Sequence, residues 1–261
     1  MNERPSYFLK LDRAQVHLDV LRLEIEAFAD SHPYTVTKRR EGKKEVWRLE
    51  FTSDPSPEIS LVGADFVHNV RSALDHMTAA LVPSSRKNST RFPILWEGVW
   101  EPPVEGEPKA ASCDRKKWES IVKKMKPEAV AILKELQPYA GYESADHHVH
   151  LLSSLNRLWN TDKHTRLPVI IGGLVNSKVT FALADGTVRT FSDIDPRGLA
   201  DNAKLTGPSG VVDVKIRGTM EVAVRVAMPD GVLPMLHHFQ GILDYAALAI
   251  NQLAPFVHVA P

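Results

Sequence analysis

The stretch VGADFVHNVRSALDHMTAALV, residues 62–82, decides how the rest of the chain is read. Phe66, Val67, Val70, Ala73, Leu74, Met77 and Leu81 recur at the three-and-four spacing of a buried helical stripe. Wound at about 100° per residue, those positions centre on one side, while Asp65, His68, Asn69, Arg71, Ser72, Asp75 and His76 gather on the other. A plain surface helix carries Lys and Glu on its wet face. This one carries two histidines, an arginine, two aspartates, an asparagine and a serine, which are short or proton-carrying groups rather than solubilising ones. The segment is therefore expected to be at once the spine of a helical bundle and the first place to look for chemistry.

Outward on the N-terminal side, Ser56, Pro57 and Glu58 supply a cap, a first-turn proline and an early acid for this helix, predicted over 58–82. Before it, the alternating segments 34–38 and 45–51, joined by the charged tip RREGKK at 39–44, read as a β-hairpin. Its Arg39, Arg40, Lys43 and Lys44 suit either a phosphate-reaching arm or a solvated turn that blunts a sheet edge. A first helix over 7–29 precedes the hairpin, with Phe8, Leu11, Leu18, Leu21, Ile25 and Phe28 at helical spacing and Pro33 as its stop.

On the C-terminal side, residues 84–113 are rich in Pro, Ser and Gly and hold Trp96 and Trp100, so a long loop pinned by aromatic anchors is expected. Helices follow at 114–124 and 127–136, with a lysine-rich outer face, and at 145–159. Beyond 167 the pattern shortens to β-branched, alternating runs at 169–171, 179–182, 188–191, 211–216 and 220–227, punctuated by Asp185-Gly186 and Gly207-Pro208-Ser209-Gly210. These predict an antiparallel sheet of four or five strands. An amphipathic helix over 233–253 closes the chain. The expected fold is α+β: a helical bundle over 1–166 carrying the hairpin at 34–51, then a sheet and closing helix over 167–261 packed back on the bundle as one structural unit.

The 261 residues are 43% hydrophobic and 25% charged, an ordinary globular balance, with 32 basic against 32 acidic side chains. Zero net charge argues against a general nucleic-acid coat but leaves room for a local phosphate contact. The single Cys113 excludes an intramolecular disulfide, and it sits in a polar segment with no flanking histidine to activate it. No N-terminal apolar segment suggests a signal peptide, and no run reaches the roughly 18 apolar residues of a membrane span. A cytoplasmic protein without a membrane partner is expected. There is no GxSxG, no phosphate-cradling glycine loop and no dinucleotide fingerprint, so no cofactor is expected.

The second polar cluster is NTDKHTR at 160–166, at the end of the 145–159 helix, where Lys163 and His164 also suit a C-terminal cap. Asp146, His147, His148 and His150 raise a zinc reading together with His68 or His76. Their spacing matches neither HExxH nor a Cys/His finger, and neighbouring histidines diverge by about 100° on a helix, so no metal site is assigned.

Arg71-Ser72-Ala73-Leu74-Asp75-His76 resembles the R-x4–6-H signature of the HEPN family, helical-bundle proteins in which that motif commonly marks a metal-independent endoribonuclease. The resemblance implies that His76 moves protons at the ribose 2′-hydroxyl or the leaving oxygen while Arg71 holds the crowded phosphate, at a site usually built across a dimer. A group with pKa near 7 and a bidentate guanidinium suit those tasks. Ser72 stands where that family often has Asn, Asp or His. The wording around 61–76, with Leu155-Asn156 and Asp162-Lys163-His164 further on, also resembles uncharacterised proteins of bacteria and their phages.

On an ideal helix, positions five apart point about 140° from one another. Arg71 and His76 therefore need residues 162–164 or a second protomer to act together. The expectation is an endoribonuclease of toxin or phage-defence type, with Arg71 and His76 central and Asp75, Lys163 and His164 assisting. His68, Asn69, Ser72, Asn156 and Asp162 would bind the substrate, RNA or a nucleotide, in a homodimer. The alternative is a non-catalytic module whose polar face holds a nucleotide or a protein partner.

Overall fold

The computed structural model describes residues 4–42, 44–83, 90–95, 109–138, 150–192, 195, 198–225 and 232–258. Among them the chain is α+β, with six α-helices and two antiparallel sheets. It divides into two units: Met1–Asp19, Val62–Leu167 and His237–Pro261 form the first, and Val20–Leu61 with Pro168–Leu236 the second. The division follows spatial contacts rather than a cut at 166/167. The hairpin at 34–51 belongs with the sheet, and the closing helix with the bundle.

The first unit is helical. It takes the N-terminal part of α1 (Ser6–Asp30), most of α2 (Pro57–Ala80), then α3 (Lys109–Val122), α4 (Pro127–Glu135), α5 (Leu151–Asp162) and nearly all of α6 (Met235–Leu253). The expected stripe of α2 is buried throughout: Phe66, Val67, Val70, Ala73, Leu74 and Met77 have no exposed surface. Phe239 of α6 stacks on Phe66 with ring centroids 4.7 Å apart, and the Tyr245 hydroxyl donates to the Leu136 carbonyl at 3.0 Å. Apolar area removed from water holds the helices together, and the part-buried tyrosine hydroxyl takes a backbone partner in place of the water it has lost.

Two boundaries differ from expectation. α3 begins at Lys109, inside the segment read as loop, because Lys, Ala, Ala and Ser propagate a helix without an apolar stripe to announce it. α5 begins at Leu151 rather than 145, since His150 is its N-cap and accepts from the Leu152 amide at 3.2 Å. Residues 139–149, with Asp146, His147 and His148, lie outside the described residues, as do Trp96 and Trp100.

The second unit is built of strands. β1 (Tyr34–Glu41) and β2 (Lys44–Phe51) pair in register from Tyr34↔Phe51 to Glu41↔Lys44 and take β5 (Lys204–Leu205) as a third, very short strand. Arg39 and Arg40 therefore lie within β1 rather than at a tip. Arg39 reaches Glu50 at 2.5 Å and Lys38 reaches Glu45 at 2.6 Å, so these two charges are answered within the hairpin, while Lys43 lies outside the described residues.

The other sheet has the order β4-β3-β6-β7. β3 (Val169–Leu183) and β6 (Val211–Arg225) each join two of the predicted runs into one 15-residue strand, flanked by β4 (Val188–Ser192) and β7 (Val232–Pro234). The runs look separate in sequence because the register shifts between Ile171 and Gly173 and between Val175 and Lys178, where Asn176 has φ +49°. Each extra residue breaks the alternation without breaking the strand. Leu49, Leu174, Val179, Phe181, Leu199, Leu205, Val214 and Met220 make the core of this unit. No helix among the described residues is long and apolar enough to cross a membrane.

Candidate functional site

The polar residues of α2 do not share one environment. Asp65, His68 and His76 are exposed, Ser72 and Asp75 are half-buried, and Asn69 and Arg71 are buried. Asn69 donates its amide to the Asp65 carbonyl one turn earlier at 2.8 Å, which satisfies it within its own helix. The Arg71 side chain points inward and is only 6% exposed. Its Nη2 donates to the Phe92 carbonyl at 2.8 Å and lies 3.1 Å from Asp75 Oδ1, one turn on. The same Asp75 oxygen accepts the Phe92 amide at 2.8 Å. An i,i+4 Arg–Asp pair thus holds both backbone groups of one residue in the following segment. That segment is tied again where the Leu95 amide donates to Gln137 Oε1 at 2.9 Å.

α5 completes the cluster. The Arg71 guanidinium carbon lies 5.0 Å from the Trp159 ring centroid, and Lys163 Nζ lies 3.0 Å from the same centroid. The indole quadrupole attracts both cations, and more strongly the buried Arg71 than the exposed Lys163. Lys163 is the C-cap of α5, so its position is set by the helix end as well as by the ring. Burial is the main cause that holds Arg71 below the usual arginine range; Asp75 opposes the shift and Arg91 adds to it. Lys163 also titrates below the usual lysine range, first from lost hydration and then from the charges of Arg91 and Arg71, with Asp75 partly offsetting them. Arg71, Arg91 and Lys163 therefore face one another around Asp75.

Beside them lies a cavity of about 180 Å³, lined by Arg71, Arg91, the 92–95 segment, Asn156, and Asp114, Lys117, Trp118 and Ile121 of α3, where Lys117 answers the Asp114 carboxylate at 2.9 Å. Arg71 Nε and Nη1 are buried and have no hydrogen-bond partner among the described residues. A buried donor without an acceptor costs about 1–3 kcal/mol, and more when charged, so this guanidinium is poised for an acceptor.

Of the residues singled out by sequence, Arg71, Asp75, Asn156 and Lys163 come together here. The others go elsewhere. His76 Nδ1 lies 3.1 Å from Ser6 Oγ of α1, and His68 is exposed. Asp162 is the half-buried last residue of α5, and His164 is exposed beyond the cap. His238 of α6 is buried. Among the described residues no group of three metal-ligating side chains forms. Sequence reading did not single out Arg91, Trp118 or Trp159 for the site. Only Trp159, four residues before Lys163 and hence on the same helical face, carried a readable signal. No family model, curated protein or solved structure matches the chain.

Proposed function

We propose that this chain is a non-catalytic module that binds a nucleotide, with a phosphoryl group of the ligand seated in the Arg71 cavity. One observation carries the reading: a buried guanidinium whose Nε and Nη1 have no hydrogen-bond partner among the described residues, at the wall of a cavity that Arg91 and Asn156 also line. An anionic oxygen cluster is the acceptor that a guanidinium fork fits best. The volume has room for roughly six water molecules, against about 300–1,000 Å³ for pockets that enclose a drug-sized ligand. The cavity thus takes a phosphoryl group and leaves sugar and base outside. Arg71 is engaged by Asp75, Phe92 and Trp159, whereas His76 is engaged by Ser6, and that separation favours binding over proton transfer.

Calorimetry with nucleoside mono- and diphosphates is the test. The native chain is expected to bind them, and Arg91→Ala, which changes an exposed side chain and leaves the Arg71 contacts in place, to bind about tenfold more weakly. No heat with any nucleotide or with inorganic phosphate sinks the reading. RNA cut in EDTA by the native chain and spared by His76→Ala replaces it with the endoribonuclease reading.

A further inference from the structure

α1 is apolar on two sides. Tyr7, Leu11, Ala14, Leu18, Leu21 and Ile25 are buried and form one stripe. Wound at about 100° per residue, Leu9, Val16, Val20 and Leu23 fall on the opposite side, centred on the most exposed face of the helix. They are 52%, 47%, 38% and 64% exposed. Scattered surface leucines need no explanation, but these follow a rule. With exposed Arg13 and Ala27 they run 9, 13, 16, 20, 23 and 27, alternating steps of four and three, which is the seam of a two-stranded coiled coil over three heptads. The 25-residue helix is roughly 37 Å long, enough to present the whole seam to a partner helix.

We propose that this seam pairs, antiparallel, with the same seam of a second copy of the chain. Charge decides the direction. In a parallel pair Arg13 stacks on its own copy inside the seam, and Asp19 faces Glu24 of the second copy. In the antiparallel pair Val16 meets Val20 of the second copy, Arg13 lies over Leu23 with Glu26 within its reach, and Lys10 faces Glu24 across the edge. Like charges meet at two places on the other edge, Asp19 with its own copy at the two-fold axis and Asp12 with Glu26 of the second copy, where Arg13 also reaches Glu26. At the axis each Asp19 carboxylate already accepts from Gln15 of its own chain at 2.9 Å, and exposed charges repel only weakly through water. Asp12 is likewise held by Arg4 of its own chain at 2.7 Å. Four large apolar side chains per copy place the interface at the small end of stable ones, so the pairing is expected to depend on concentration.

Sedimentation of the full chain from about 1 to about 100 µM tests this. The expected result is a monomer–dimer equilibrium that Val16→Glu/Leu23→Glu weakens at least tenfold while circular dichroism and thermal midpoint stay unchanged, since both positions are exposed. For direction, Leu9→Cys and Ala27→Cys are made separately in a Cys113→Ala background and oxidised. A disulfide between the two variants when mixed, and none in either alone, is the antiparallel signature. A monomer at every concentration, a dimer indifferent to the double substitution, or Leu9→Cys linking to itself each overturns the proposal.

Discussion

Arg71 and His238 are both polar groups taken out of water, and they are treated differently. Arg71 keeps one nitrogen on Phe92 and Asp75 and its guanidinium carbon 5.0 Å from the Trp159 ring centroid, so part of its desolvation is offset. His238 is only 6% exposed, and its Nε2 has no partner among the described residues. Burial first, and the neighbouring His237 second, lower its pKa to about 4 from an ordinary value of about 6.5. The native imidazole stays neutral across that window, whereas the unfolded chain takes up a proton as pH falls through it. Unfolding therefore binds protons there, and stability drops on acidification from about pH 6.5 to about 4, by up to about 3 kcal/mol from this residue. Urea unfolding at pH 7 and pH 4.5 is expected to show a smaller acid loss in His238→Leu than in the native chain. Equal losses in both would remove His238 as a cause.

The longest strands carry their own irregularities. In β6 the position of Gly218 faces the bulge of β3, where a Cβ would sit 2.8 Å from Leu174 Cγ and 2.9 Å from the Val175 carbonyl oxygen. The oxygen belongs to backbone and cannot swing away, so even one methyl forces the two strands apart. Gly218→Val is expected to lower stability by about 1–3 kcal/mol through that overpacking, despite the better strand propensity of valine. Val212→Ala, in the same strand but 56% exposed, serves as the control and is expected to change it by less than about 0.5 kcal/mol. Denaturant midpoints compare the two, and equal shifts would show that the bulge has slack. The same bulges made one strand read as two, because periodicity is a local signal and an inserted residue resets its phase.

Across the whole molecule, 32 basic and 32 acidic side chains cancel at neutral pH. Colloidal repulsion is then weakest, so solubility is expected to pass through a minimum near pH 7 and to rise toward pH 5 and pH 9, as precipitation by polyethylene glycol would measure. A monotonic trend would mean that patches rather than net charge govern self-association. The sequence by itself determined the α+β class, the helices at 7–29 and 58–82, the hairpin, the closing helix and the buried stripe of Phe66, Val70, Leu74 and Met77. Each of these is written in a period of two or 3.6 that neighbours along the chain impose. Only the tertiary structure decided that the hairpin joins the sheet rather than the bundle. It alone decided that Arg71 turns inward to Phe92 and Trp159 while His76 turns to Ser6, and that Arg91 and Trp118 help line the cavity. Which partner a polar side chain takes depends on segments tens of residues away, and a periodic pattern holds no information about where those segments return.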